Sequence, residues 1–347
     1  MPHDSEADLR EGERILTICN ACRYCEGFCA VFPAMEKRLE FPRADLNYLA
    51  NLCHNCGECF YACQYAPPHE FAVNVPQALA KIRIASYRQY AWPSWLQRSA
   101  SIVAWLIVVT TVVRSLWPQP AGGDFYSVIP HQKMVAFFGG IAVLVFVAIL
   151  AGVMRCFREG GVSISGSATR KALGDVLALK YLSSGGAGCT YPDEHHSQAR
   201  RWFHHLTFYG FFLCFASTTV AAVDHYIFAW FAPHPYFSLP VLLGTIGGVG
   251  LLVGPAGLGW LKNRQDADTA NVGQRGLDVE FIALLFLTSL TGLLLLLLRE
   301  SQYMPNLLMI HLALVAGLFI TLPYGKFVHG LYRSLALIRY AREQEQP

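Results

Sequence analysis

Eight of the chain's eleven cysteines fall between Cys19 and Cys63, in two copies of one spacing. Cys19, Cys22, Cys25 and Cys29 form C-x-x-C-x-x-C-x-x-x-C, and Cys53, Cys56, Cys59 and Cys63 repeat it. Three thiolates at a spacing of three can cap three iron corners of one cubane, while a fourth, one residue further on, points toward a neighbouring cluster. The spacing predicts crossed ligand sets. Cys19, Cys22, Cys25 and Cys63 would hold one [4Fe–4S] centre, and Cys53, Cys56, Cys59 and Cys29 the other. Structural zinc normally uses two C-x-x-C pairs and would leave cysteines over in each run. Disulfides fit less well, because thiols this dense suit a reducing compartment and metal ligation. Ala30 and Gln64 follow the fourth cysteines, where bacterial ferredoxins carry Pro.

Beyond the cysteines the chain changes character. Charged residues are only 15% and apolar residues 54% of 347, against about a quarter charged in soluble domains. The apolar excess begins after about residue 95. The expected architecture is all-α: residues 1–90 form a helical two-cluster ferredoxin-like head, and residues 91–347 a six-helix transmembrane bundle. Net charge is +3, with the basic residues in loops, which argues for membrane topology and against nucleic acid as a partner. Met1 to Glu13 is polar and acidic, without a signal peptide's apolar core, so the head is expected on the side of synthesis.

In chain order, Glu6 to Ile18 reads as a helix, and Glu36 to Leu52 as a connector with at least one helix. His54, inside the second run, reads as a solvated neighbour or as a hydrogen-bond donor to a cluster. Val75 to Gln89 reads as an amphipathic helix on the membrane surface, with Lys81, Arg83 and Arg88 on its basic face, or as a linker helix. Six apolar stretches follow, at Leu96–Leu116, Met134–Cys156, Phe203–Ala222, Leu239–Leu261, Val279–Leu298 and Asn306–Gly325. Each is near the roughly 20 residues needed to span a bilayer. The long loop 158–201 is rich in Lys and Arg, whereas Asp224 to Ser238 has none. Positive-inside then places both termini and the head in the cytoplasm. The glycine clusters Gly185–Gly188 and Gly244–Gly250 lack the strand that a dinucleotide fingerprint requires. The second instead suits close helix packing.

Histidines in or beside a span are candidate haem b ligands, because an ionisable group in a span is a functional hypothesis. These are His204, His205 and His225 on the third span, and His311 and His329 on the sixth. Eighteen residues separate His311 from His329, about five turns or 27 Å on a continuous helix. His204 lies about 60° from His225 around its helix and His205 about 160°, so His204 shares a face better. Topology pairs His204 or His205 with His329, and His225 with His311, giving one or two haems. His131, His195, His196 and His234 read as solvated. Cys156, Cys189 and Cys214 lack ligand spacing, and Cys156 and Cys214 read as small apolar residues.

Several stretches carry a resemblance: the double cysteine run, Lys180–His205 (KYLSSGGAGCTYPDEHHSQARRWFHH), Leu206–Phe215 and Pro323–Arg333 (PYGKFVHGLYR). Together they resemble the tricarballylate utilisation protein B family, also called the citrate-utilisation B type. The closing segment is also similar to the haem-bearing membrane subunit of respiratory nitrate reductase. The resemblance implies a bacterial inner-membrane protein that re-oxidises an FAD-dependent dehydrogenase of the tricarballylate type. Electrons would pass through iron–sulfur centres and haem b to quinone. It also implies that the eight cysteines match the family motif position by position, and that chemistry on the organic acid belongs to the partner. A role in cobalamin ring contraction, suggested by a related fusion protein, and a membrane redox sensor are the alternatives. Loop 158–201 is either a docking surface or cluster cover, or only a connector.

Overall fold

The computed structural model describes residues 5–117, 125–184, 186 and 188–345; Gly185 and Ala187 of the first glycine cluster and the first residues of the polar N-terminal stretch lie outside them. The head opens with helices α1 (Ser5–Cys22), α2 (Val31–Glu36), α3 (Arg43–Leu52), α4 (Glu58–Tyr61) and α5 (Val75–Tyr90). Helix α5 starts where the Asn74 side chain accepts from the Gln77 backbone N–H at 3.1 Å, ahead of which Pro76 suits the first turn. A membrane-surface helix or a linker helix is the expectation for this segment. In the structure it runs through the head against α1 and α3, with Leu79, Ile82 and Arg83 all buried. Its apolar stripe is covered by protein, and Arg83 faces inward.

The bundle comprises α6 (Ser94–Gln97), α7 (Ala100–Ser115), α8 (Phe125–Val128), α9 (His131–Glu159), then α10 (Gly166–Leu177), α11 (Ala199–Tyr226), α12 (Leu239–Asn263), α13 (Val272–Leu297), α14 (Met304–Thr321) and α15 (Val328–Glu345). The only sheet among the described residues is one antiparallel pair, β1 (Cys189–Thr190) and β2 (His196–Ser197). Among the described residues five helices, α9 and α11 to α14, are long and apolar enough to cross a membrane, against the six expected. Helix α7 has 16 residues, about 24 Å of rise against about 30 Å of hydrocarbon. It still joins the two ends of the bundle. Glu159, at the C-terminus of α9, accepts from Asn47 and Gln89 of the head, both at 2.9 Å. His131, at the N-terminus of α9, stacks on His225 at the opposite end. The chain must therefore travel from head to far end before α9 begins, and α7 makes that passage.

Two features depart from the expected division of the chain. Ala168 and Ala172 of α10 and Ala336, Leu337 and Ala341 of α15 belong to the same buried cluster as Leu16, Met35 and Leu49. The head's core therefore extends beyond residues 1–90, and α15 is pinned to α3 by ion pairs joining Arg38 and Arg339 to Asp45 and Glu343. Secondly, the last apolar stretch does not continue to His329. Helix α14 ends at Thr321, and the chain turns through Pro323 before α15 starts at Val328. His311 and His329 thus sit on different helices, and the single-helix spacing does not apply.

Helices α11 and α12 make the closest pair in the bundle. A Cβ at Gly247 would lie 2.8 Å from the Cys214 nitrogen and the Gly210 carbonyl oxygen. The glycine cluster Gly244–Gly250 is a packing seam, as its apolar surroundings predict.

Candidate electron-transfer centre

The eight cysteines line two neighbouring pockets, with Cys59 shared between them. Cys19 and Cys22 end α1, and Arg23 then takes a left-handed turn (φ +56°) that swings Cys25 round. These three, with Cys59 and Cys63, line a cavity of about 260 Å³. Cys29, Cys53, Cys56 and Cys59 line a second, much tighter space of about 20 Å³. Burial and the neighbouring cysteines push the Cys19 and Cys25 thiols up to about 12. Burial raises Cys29 and Cys59 well above the ordinary thiol value. Four crowded sulfurs cannot all ionise without a compensating cation, and four soft sulfur donors per pocket fit an iron–sulfur cubane.

The two pockets differ in exposure. Cys22 is exposed and Tyr24 beside it is 68% exposed. Cys56 in the second set is only 7% exposed. The cover is the segment around β1 and β2. Gly57 stands at φ +90°, and a Cβ there would meet the Thr190 carbonyl at 2.6 Å, so only glycine lets β1 lie this close. His196 bonds Glu58 at 3.2 Å, and Arg200 donates to the His54 and Asn55 carbonyls at 2.8 and 2.9 Å. Of the two readings of loop 158–201, the structure shows a folded lid over the second set.

That lid brings in a thiol without ligand spacing. The buried Cys189 sulfur lies 3.8 Å from His54 Nε2, and these two with Cys56 form a compact buried group. His54, read as a solvated neighbour or as a hydrogen-bond donor to a cluster, is 7% exposed, so it is not solvated. No local motif marks Cys189, because the contact joins residues more than 130 positions apart.

On its other side the second set borders a cavity of about 420 Å³ between head and bundle, lined by Cys53, His54, His204, His329 and Arg333 among others. The His204 and His329 rings lie 6.0 Å apart, steeply inclined at 71°. His329 Nδ1 donates to the Lys326 carbonyl at 2.6 Å, which leaves the Nε2 lone pair free to ligate. His204 Nδ1 is buried without a partner. Phe208, Phe211, Phe212 and Phe281 supply an apolar wall, and Lys262 and Lys326 flank Asp278 at 2.8 and 2.7 Å. Paired imidazoles, aromatic walls and basic groups at one edge fit a haem with its carboxylates.

The remaining histidines separate. His205 turns away, with its ring parallel to Tyr209 at 5.8 Å. His225 meets His131, not His311: the rings stack at 4.2 Å and 19°. Face-to-face rings do not aim two nitrogens at one central atom. His311 instead contacts Thr291 Oγ1 at 3.0 Å and packs where Gly292 leaves room. His195 and His196 pair with Asp193 and Glu58 in the lid, and the His234 carbonyl accepts from Arg299.

A cysteine-rich, two-pocket helical head docked on a bundle of membrane-length helices defines a ferredoxin-headed membrane protein with a redox role. In comparison with known proteins, residues 12–89 match the citrate utilization protein B Fer4-like domain, and residues 96–347 match citrate utilization protein B. The chain is also 49% identical to citrate utilization protein B of Escherichia coli over 351 aligned positions, covering 97% of this chain and 93% of the relative. The chain belongs to the citrate utilization protein B family. No solved structure matches it.

Proposed function

We propose that this protein carries electrons from a reduced flavoprotein dehydrogenase of the tricarballylate type to membrane quinone, with the head on the cytoplasmic face of a bacterial inner membrane. The observation that carries the reading is the continuity of the 420 Å³ cavity from Cys53 to the His204–His329 pair. It gives the cysteine head a direct outlet toward the bundle. Cys19, Cys22, Cys25 and Cys63 would hold one [4Fe–4S] cluster, and Cys29, Cys53, Cys56 and Cys59 the other; His204 and His329 would hold one haem b. When bound, these groups supply one-electron chemistry.

The protein's own residues define the path. The exposed Cys22 and Tyr24 leave the first set open to a partner. The lid from Cys189 to Arg200 keeps water from the second set. The Lys326 carbonyl fixes the His329 tautomer and ring direction. No dinucleotide fingerprint occurs in the sequence, which supports a separate flavoprotein as electron donor.

The test is an optical and electron paramagnetic resonance titration of the purified protein with reduced flavoprotein and then quinone. Cluster and haem b signals that fill on mixing and empty on adding quinone are the expected result. Clusters without haem would remove the outlet and favour a redox sensor.

A further inference from the structure

The two cysteine pockets differ in their charged surroundings. No charged side chain lines the first, and Glu58, paired with His196, is the one acid lining the second. On the side where Cys53 borders the 420 Å³ cavity, three arginines converge from three different helices. Arg83 of α5 donates to the Ala50 carbonyl at 2.7 Å, just ahead of Cys53. Arg200 of α11 holds the His54 and Asn55 carbonyls. Arg333 of α15, one turn beyond His329, lines the cavity between Cys53 and His204.

None of the three has an ion pair among the described residues. The nearby carboxylates are engaged elsewhere: Asp278 with Lys262 and Lys326, Asp175 with Lys180 at 3.4 Å, and Glu58 with His196. Burial lowers the Arg333 guanidinium to about 10, and Cys53 and Cys29 are the groups that oppose this.

A cubane on four thiolates is anionic and gains one more negative charge on reduction. Burial penalises the more highly charged state, so a covered cluster without cations would be the harder of the two to reduce. Electrons would then stay at the exposed set and never reach the cavity.

We infer that Arg83, Arg200 and Arg333 form a cationic collar that raises the reduction potential of the buried second cluster, with Arg333 as its member facing the haem cavity. The inference rests on the two-cluster reading proposed above. One electron leaves the exposed cluster and one arrives at the collared cluster, and no proton is required. The arginines act as positioning residues for charge and do not ligate iron.

The test uses the full-length protein in detergent, with iron analysis and a redox titration followed by electron paramagnetic resonance. In Arg333→Met the reduced fraction of one cluster, at a fixed potential near its midpoint tail, should fall about tenfold, equal to ~59 mV for one electron. The other cluster should not move, and Arg333→Lys should restore most of the shift. Arg200→Gln should move the same cluster in the same direction, which keeps the inference testable if Arg333→Met loses its iron. Two intact clusters with unshifted potentials, or two clusters shifted equally, would overturn the collar alone. A wild-type protein without two four-iron clusters would overturn the cluster reading itself.

Discussion

The bundle carries a histidine pair at each end, and only one is built as a site. His204 and His329 face each other across a cavity, with one ring nitrogen held by a carbonyl and another buried and unpaired. His131 and His225 are half-buried, stacked flat, and surrounded by Tyr126, Tyr226 and Phe231. The first arrangement leaves nitrogen lone pairs in need of a partner, while the second satisfies its rings by contact with one another. Histidine at a membrane edge is therefore not enough to mark a ligand. What distinguishes the pairs is enclosed space and what fixes the second nitrogen.

Several substitutions would break or sharpen that contrast. The largest expected effect on stability is at the head-side end. Asp278→Asn leaves Lys262 and Lys326 buried together without their shared carboxylate, at a cost of about 3–5 kcal/mol. Thermal denaturation in detergent should show a large drop in midpoint, whereas a wild-type midpoint would mean the lysines find water. Gly247→Val should cost about 1–3 kcal/mol by forcing α11 and α12 apart, measured in the same way. Acidification comes next. His54 and His329 are kept neutral by burial, so both fold with a lowered pKa. The unfolded chain then binds more protons below its ordinary imidazole value, and stability is lost as pH falls through about 6.5 and below. A melting midpoint that is flat from pH 8 to 7 and declines toward 5 is the expected profile. At the far end, His225→Phe keeps a ring against His131 and should change the midpoint by less than about 1 kcal/mol equivalent.

The sequence exposed the cysteine sets because iron ligation imposes a local spacing, and local spacing survives in a linear string. Five of the six expected membrane-length helices and the glycine seam were legible for the same reason: length and small-residue clustering are one-dimensional properties. The lid was not. Cys189 reaches Cys56 and His54 only because Gly57 adopts φ +90° and β1 lies against it. His225 and His311 do not meet because His131, at the start of α9, stacks on His225, while His311 packs against Thr291 and Gly292. The helical face alone put Arg83 on a membrane surface or on a linker helix, and in the structure it is buried. Which side of an amphipathic helix meets protein depends on α3 and α15, whose packing no periodicity reveals.

The most direct test of this account is haem content and the reduced-minus-oxidised optical spectrum of wild type, His329→Ala and His225→Ala, purified in parallel. The account predicts one haem b per chain, absent from His329→Ala and unchanged in His225→Ala. Haem retained in His329→Ala, or lost in His225→Ala, would contradict it.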